Sequence, residues 1–152
     1  MRPAWSLVAI CGACMAHPWP FCCYEGFVES VDALAGPSAI DCGSLNSGQK
    51  SGDAQRRQAA KCVRDALTRE RPFKFLVGLD DSHLQVLVRS RQGELWIASY
   101  WQERSRVDIA EHASNKVCKS VSFDEETLGF QGQDCIDSSE FTLPTYVPHP
   151  GH

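Results

Sequence analysis

The chain has 152 residues, of which 43% are hydrophobic and 22% are charged, and its formal net charge is −4. This length suits one domain around one hydrophobic core, and so ordinary a composition excludes a chain that is disordered throughout. The negative charge argues against generic nucleic-acid binding, which needs a basic surface for the phosphates.

The amino terminus has the layout of an export signal. Its first 24 residues carry one charged side chain, Arg2, followed by an apolar stretch from Ala4 to Ala16. That stretch is shorter than the roughly 20 apolar residues that a transmembrane helix needs. A short basic region, an apolar centre and small residues before a cleavage point are typical of a secretory signal peptide. We therefore predict that residues 1–13 are removed on export.

The cleavage point determines whether the mature protein is anchored to a membrane or secreted. Cys14 follows two small residues, as the lipid-bearing cysteine does in a bacterial lipoprotein, although Cys11 stands where Leu is usual. We expect a lipid on Cys14 and a membrane as partner, in the periplasm or on the outer membrane. The alternative cut, after Ala16, would secrete a soluble protein that begins at His17.

A zinc site is a second interpretation of this terminus. Cys11 and Cys14 form a C-x-x-C pair, with His17, Cys22 and Cys23 nearby. Zinc favours four such ligands in a tetrahedral array. The segment is apolar, however, and lacks the polar turns of a metal knuckle, so we expect no metal and no other cofactor. The role of Cys22 and Cys23 stays open.

A helix is the first well-defined element after the terminus. Residues 14–41 are rich in Pro and Gly and are predicted to be a tether and an irregular lead-in, in which 28–34 could form a short helix. The predicted main helix runs from about Asp53 to Glu70 and stops before Pro72. Apolar residues recur along it at helical spacing, namely Ala59, Cys62, Val63, Ala66 and Leu67.

Strand patterns follow this helix. Apolar and polar residues alternate from Leu84 to Arg89, which is typical of a strand, and Gly93 supplies the glycine of a hairpin turn. The other predicted strands are 73–79, 95–101, 117–123 and the segment that returns through Gly129 to Ile136. We predict an α+β fold in which one main amphipathic helix packs on a four- to five-stranded antiparallel sheet. The single domain would span 42–140, and 141–152 would be a disordered tail.

Disulfides would cross-link this fold. Cys42 precedes the helix that carries Cys62, and closing that loop would stabilise the fold by about 3 kcal/mol. Cys118 and Cys135 would link the last hairpin in the same way. Six cysteines after Cys14 allow fifteen pairings, among which this one is preferred.

The order of cysteines and turn residues resembles that of a known group. The series comprises Ala39-Ile40-Asp41-Cys42-Gly43, Cys62 with Ala66, Pro72-Phe73, Gly78 with Asp81-Ser82, Gly93, Cys118 and Cys135. Together these residues resemble an uncharacterised family of small bacterial secreted proteins and lipoproteins, over about two thirds of the chain. The resemblance implies an envelope location and paired cysteines, and it implies no reaction or substrate.

One loop suggests catalysis. Asp80, Asp81, Ser82 and His83 place two carboxylates, a hydroxyl and an imidazole together. Neighbouring side chains on a strand point to opposite faces, and Asp and Ser are also common turn formers. We therefore favour a turn, and the alternative is a small secreted hydrolase that uses His83 with Asp80 or Asp81.

The aromatic residues suggest binding instead. Trp96 and Tyr100 fall on one face of a strand and Trp101 on the other, with Arg89 and Arg91 nearby. Rigid aromatic side chains often form recognition surfaces for proteins and glycans, but they are also ordinary core residues. We expect one of the two faces to be core and the other to be an interaction surface. We expect a non-catalytic cell-envelope lipoprotein or secreted binding or structural module whose partner is an envelope protein or a glycan. A periplasmic inhibitor or immunity-type protein is an alternative.

Overall fold

The computed structural model describes residues 22–46, 52–80, 82–104 and 109–138. These ranges contain two helices and six strands. In chain order the elements are α1 (Cys22–Ala35), β1 (Ile40–Asn46), α2 (Asp53–Thr68), β2 (Phe73–Asp80), β3 (His83–Arg89), β4 (Leu95–Arg104), β5 (Ile109–Phe123) and β6 (Phe130–Asp137).

All six strands form one sheet in sequence order, with β1 and β6 at its edges. β1 runs parallel to β2, because α2 carries the chain back across the sheet between them. The other neighbouring pairs are antiparallel. In the turn between β3 and β4, Gly93 has a φ of 88°, a left-handed conformation that glycine adopts without strain.

The two helices pack on opposite faces of this sheet. On the α2 face, Ala59 and Val63 of α2 are buried against a cluster that includes Phe75 of β2. On the α1 face, Phe27 and Val31 of α1 are buried with residues of β3 and β4. Since successive side chains of a strand point to opposite faces, the central strands are apolar on both sides. This explains why β3 contains the consecutive buried residues 86–88.

The predicted α+β class, with a helix on a sheet, is confirmed. The sheet is antiparallel as predicted except for the parallel pair of β1 and β2, and the lead-in differs from the prediction. Part of the segment that we expected to be irregular forms α1 and β1. α1 extends well beyond the short helix expected at 28–34 because Phe27, Val31 and Ala35 recur every four residues and are buried on the sheet. The sheet accordingly has one strand more than predicted, and a second helix covers its other face.

Two disulfides cross-link the domain. Cys42–Cys62 joins β1 to α2, with an S–S distance of 2.03 Å. Cys118–Cys135 joins paired positions of β5 and β6, with an S–S distance of 2.05 Å. These are the two pairings preferred from the sequence, and they are compatible with an extracytoplasmic location.

Candidate functional site

The α2 face of the sheet is only partly covered. α2 packs over β1 and β2, and farther across the sheet the same face bears an open concavity of about 450 Å³, which we call the trough. Its volume falls within the range of about 300–1,000 Å³ that is typical of small-molecule sites. The trough is lined by Gln85, Ile97, Ser99, Ser114, Lys116, Phe130, Gln131, Gly132 and Cys135.

The floor of the trough is a row of polar side chains. Gln85 of β3 pairs with Ser99 of β4, and Ser99 pairs with Ser114 of β5. We call these three residues the polar row, whose members are spaced about 4.8 Å apart because that is the distance between strands. In the next row toward α2, Ile97 pairs with Lys116. The floor therefore offers an amide, two hydroxyls, an ammonium group and an apolar patch.

The wall of the trough comes from β6. Gly132 and Cys135 both line it, although residues three apart in a regular strand point to opposite faces. Asp134, which lies between them, has a φ of 50°, so the alternation is interrupted there. This left-handed conformation is tolerated by Asp better than by most residues.

Glycine at position 132 allows the wall to approach the disulfide closely. A Cβ atom on Gly132 would lie 2.3 Å from the Sγ atoms of both Cys118 and Cys135, and 3.0 Å from Cδ1 of Ile97. Even the smallest side chain would therefore displace the disulfide. The spacing of residues in the sequence gave no sign of this contact.

A pair of contacts joins α2 to the turn between β5 and β6. Nη1 of Arg64 donates to both carboxylate oxygens of Glu125, at 3.0 and 2.9 Å. In the same turn, a carboxylate oxygen of Asp124 accepts hydrogen bonds from the backbone N–H groups of Glu126, at 2.8 Å, and Thr127, at 3.2 Å. These hydrogen bonds favour the ionised form and lower the pKa of Asp124 below its usual 3.8.

A second charged cluster lies on α1 and the first two strands. The Nζ atom of Lys74 lies 2.5 Å from Asp32 of α1 and 3.3 Å from Asp41 of β1. The hydrogen bond to Asp32 is the main cause that raises the pKa of Lys74 above its usual 10.5, and the nearby charge of Asp41 adds to it. This cluster attaches α1 to the sheet and contains no residue of the trough.

The aromatic surface expected from the sequence is not formed by Trp96 and Tyr100. Both side chains lie on the α1 face and are only 2% and 3% exposed. The ring of Tyr100 packs against Phe27 of α1 with 5.6 Å between ring centroids. Trp96 and Tyr100 therefore lie on the face of β4 that is core, because α1 covers it, and they form no exposed surface.

Trp101, by contrast, lies on the α2 face beside the polar row. It is half-buried and pairs with His83 of β3, with 6.2 Å between the ring centroids. Trp101 is two residues from Ser99 along β4, which places it about 7 Å farther along the strand. It is thus the predicted aromatic residue that stands next to the trough.

The two arginines of the expected surface lie at the turn between β3 and β4. Arg89 is half-buried and its Nη1 donates to the carbonyl of Gly93, at 3.2 Å. Arg91 is exposed within the turn. Neither side chain lines the trough.

The hydrolase loop is described only in part. Asp80 is the register partner of His83, but its side chain lies outside the described residues, as does Asp81. Among the residues that the structure describes, no group of three or more His, Cys, Asp and Glu side chains could hold a metal ion. The proposed use of His83 with either carboxylate stays a prediction.

The predicted signal peptide, Cys14 and the carboxy-terminal tail also lie outside the described ranges, and so do the side chains of Cys22 and Cys23. No helix within the described ranges is both long and apolar enough to cross a bilayer. No protein-family model, no curated protein and no solved structure matches this chain.

Proposed function

We propose that this chain is a non-catalytic saccharide-binding module of the cell envelope and that the trough is its binding site. The observation that carries the proposal is the polar row of Gln85, Ser99 and Ser114 on the floor of an open, concave sheet face. Amides and hydroxyls both donate and accept hydrogen bonds. Sugar hydroxyls need partners of this kind.

The apolar parts of the site support the same ligand class. Ile97 and Phe130 line the trough, and they offer surface to the C–H faces of a sugar ring. The ring of Trp101 stands beside the polar row, where it could extend the site to a second sugar unit. A saccharide is favoured over a fully apolar ligand because most of the lining side chains are polar.

The location of the protein follows from its cysteines. The two disulfides are compatible with an oxidising compartment. We include in the proposal a bacterial lipoprotein that is anchored to the membrane through Cys14, as the residues around that cysteine indicate. In that arrangement the domain would lie in the compartment that holds the glycans of the envelope.

A glycan array tests the proposal. The mature protein should bind saccharides, and Ser114→Trp should abolish binding because an indole at that position fills the trough. Lys119→Trp is the matched control, since Lys119 is an exposed residue of the same strand that does not line the trough. The proposal fails if the wild-type protein binds no saccharide, or if Ser114→Trp binds as well as the control variant. Release of shortened saccharides that depends on His83 would favour the hydrolase alternative.

A further inference from the structure

The charge of the trough points to a more specific ligand. Lys116 is the one ionisable side chain among the lining residues, so the trough carries a formal charge of +1 in a chain whose net charge is −4. Lys116 stands in the row next to Ser114 and pairs with Ile97 of β4. Its ammonium group is therefore placed at the border between the polar row and the apolar patch.

Lys116 differs in its surroundings from Lys74 and Arg64. Lys74 lies within 4.0 Å of two carboxylates, and Arg64 is paired with Glu125. Among the described side chains, no carboxylate lies within that distance of Lys116. Its register partner on β6, Asp137, does not line the trough.

We infer that the trough selects an acidic saccharide, a uronate-type sugar whose carboxylate pairs with the ammonium group of Lys116. This inference rests on the proposed saccharide function. The carboxylate would accept charge-assisted hydrogen bonds from Lys116, which are stronger than bonds between neutral groups. The sugar hydroxyls would meanwhile bind the polar row, which lies about 7 Å along the strands from the row of Lys116.

The expected preference is modest and depends on salt. Lys116 is exposed, so water and dissolved ions weaken the pair. We expect at most about a fivefold preference for the acid over its neutral form at low ionic strength. The preference should shrink as sodium chloride is added, because the Debye length falls to about 8 Å at 0.15 M salt.

NMR titration of the mature protein tests the inference. The probes are matched pairs of oligosaccharides, namely oligogalacturonates and oligoglucuronates, each compared with its methyl ester. The ester keeps the sugar ring and its hydroxyls but removes the negative charge. We expect the acids to shift the backbone resonances of Ser99 and Ser114 and to bind up to about fivefold more tightly than the esters.

Two variants assign the preference to one side chain. Lys116→Gln should bind acid and ester with equal affinity, while Lys119→Gln, a change of equal charge on the same strand, should keep the preference of the wild-type protein. Thermal unfolding of both variants is the control that tests whether each remains folded.

The outcomes separate this inference from the proposed function. Equal binding of acids and esters by the wild-type trough would overturn the acidic preference and leave saccharide binding intact. A preference that persists in Lys116→Gln would overturn the role of Lys116. If no acid and no ester shifts the trough resonances, and the glycan array is also blank, the saccharide function itself is overturned together with the inference.

Discussion

Gly132→Ala tests the close packing of β6 against the Cys118–Cys135 disulfide. The added Cβ would lie 2.3 Å from each sulfur, whereas ordinary contacts begin at 3.4 Å, so the atoms must separate by roughly 1 Å. Overfilling a packed site costs about 1–3 kcal/mol. We expect the free energy of unfolding to fall by about 3 kcal/mol, the upper end of this range, because the two sulfurs are bonded to each other and cannot move apart independently.

The assay is urea unfolding, with thermal unfolding as a second measurement. A loss of this size should lower the melting temperature by about 10 °C in a domain of this length. Gly52→Ala is a control, because nothing lies within 4 Å of a Cβ placed there. It should change the free energy of unfolding by less than about 1 kcal/mol, the usual size of an effect at a helix N-cap.

A double-mutant cycle identifies the cause of the loss. In a Cys118→Ala/Cys135→Ala background both sulfur atoms are absent. Gly132→Ala should then lower the free energy of unfolding by less than about 1 kcal/mol. The difference between this loss and the loss in the wild-type background is the coupling energy between position 132 and the disulfide. A loss that is equally large in both backgrounds would refute the steric explanation. A loss below about 0.5 kcal/mol in the wild-type background would refute the close contact itself.

Three further predictions concern the scaffold. Replacing Cys42 and Cys62 with Ala should lower the free energy of unfolding by about 3 kcal/mol, because the disulfide closes a loop between residues 20 apart; an unchanged urea midpoint would contradict this. Lys74 should titrate above 10.5 by side-chain NMR, so its ion pairs stabilise the fold at pH values below 10.5 and lose that effect as the pH rises through the folded-state pKa. Asp124 should titrate below 3.8 by carboxyl NMR, so its contribution is present above pH 3.8 and is lost as the pH falls through its lowered pKa. A measured pKa of Lys74 at or below 10.5, or of Asp124 at or above 3.8, would contradict the hydrogen bonds and ion pairs described above.

Local patterns in the sequence correctly predicted the elements whose residues alone carry a periodic signal or a turn residue. The apolar stripe that includes Ala59 and Val63 identified α2, and the apolar residues at every second position from Leu84 identified β3. The glycine at position 93 marked the turn that follows β3. β1 escaped prediction because it is held by parallel pairing with a strand that lies beyond α2, and pairing over such a distance leaves no periodic signal in seven residues.

The candidate site was harder to predict for a different reason. The alternation of β4 showed that Trp96 and Tyr100 share one face and Trp101 lies on the other, but it left open which face is core, and α1 buries the first two. The trough depends on Gly132 and on the interruption at Asp134. Both are exceptions to strand alternation, so a pattern search based on alternation places β6 side chains on the wrong side.

The contacts that form the trough also stabilise the fold. The Cys118–Cys135 disulfide fixes β6 to β5, and Cys135 itself lines the trough. Arg64 of α2 holds the turn at the end of the same hairpin through Glu125. The polar row lies on β3, β4 and β5, while the wall is the edge strand β6. Loss of the disulfide should therefore release the wall and leave the floor in place. Reduction of the protein should therefore weaken ligand binding before it unfolds the sheet. This order is expected because the edge strand is held by a cross-link, whereas the central strands are held by burial of their side chains.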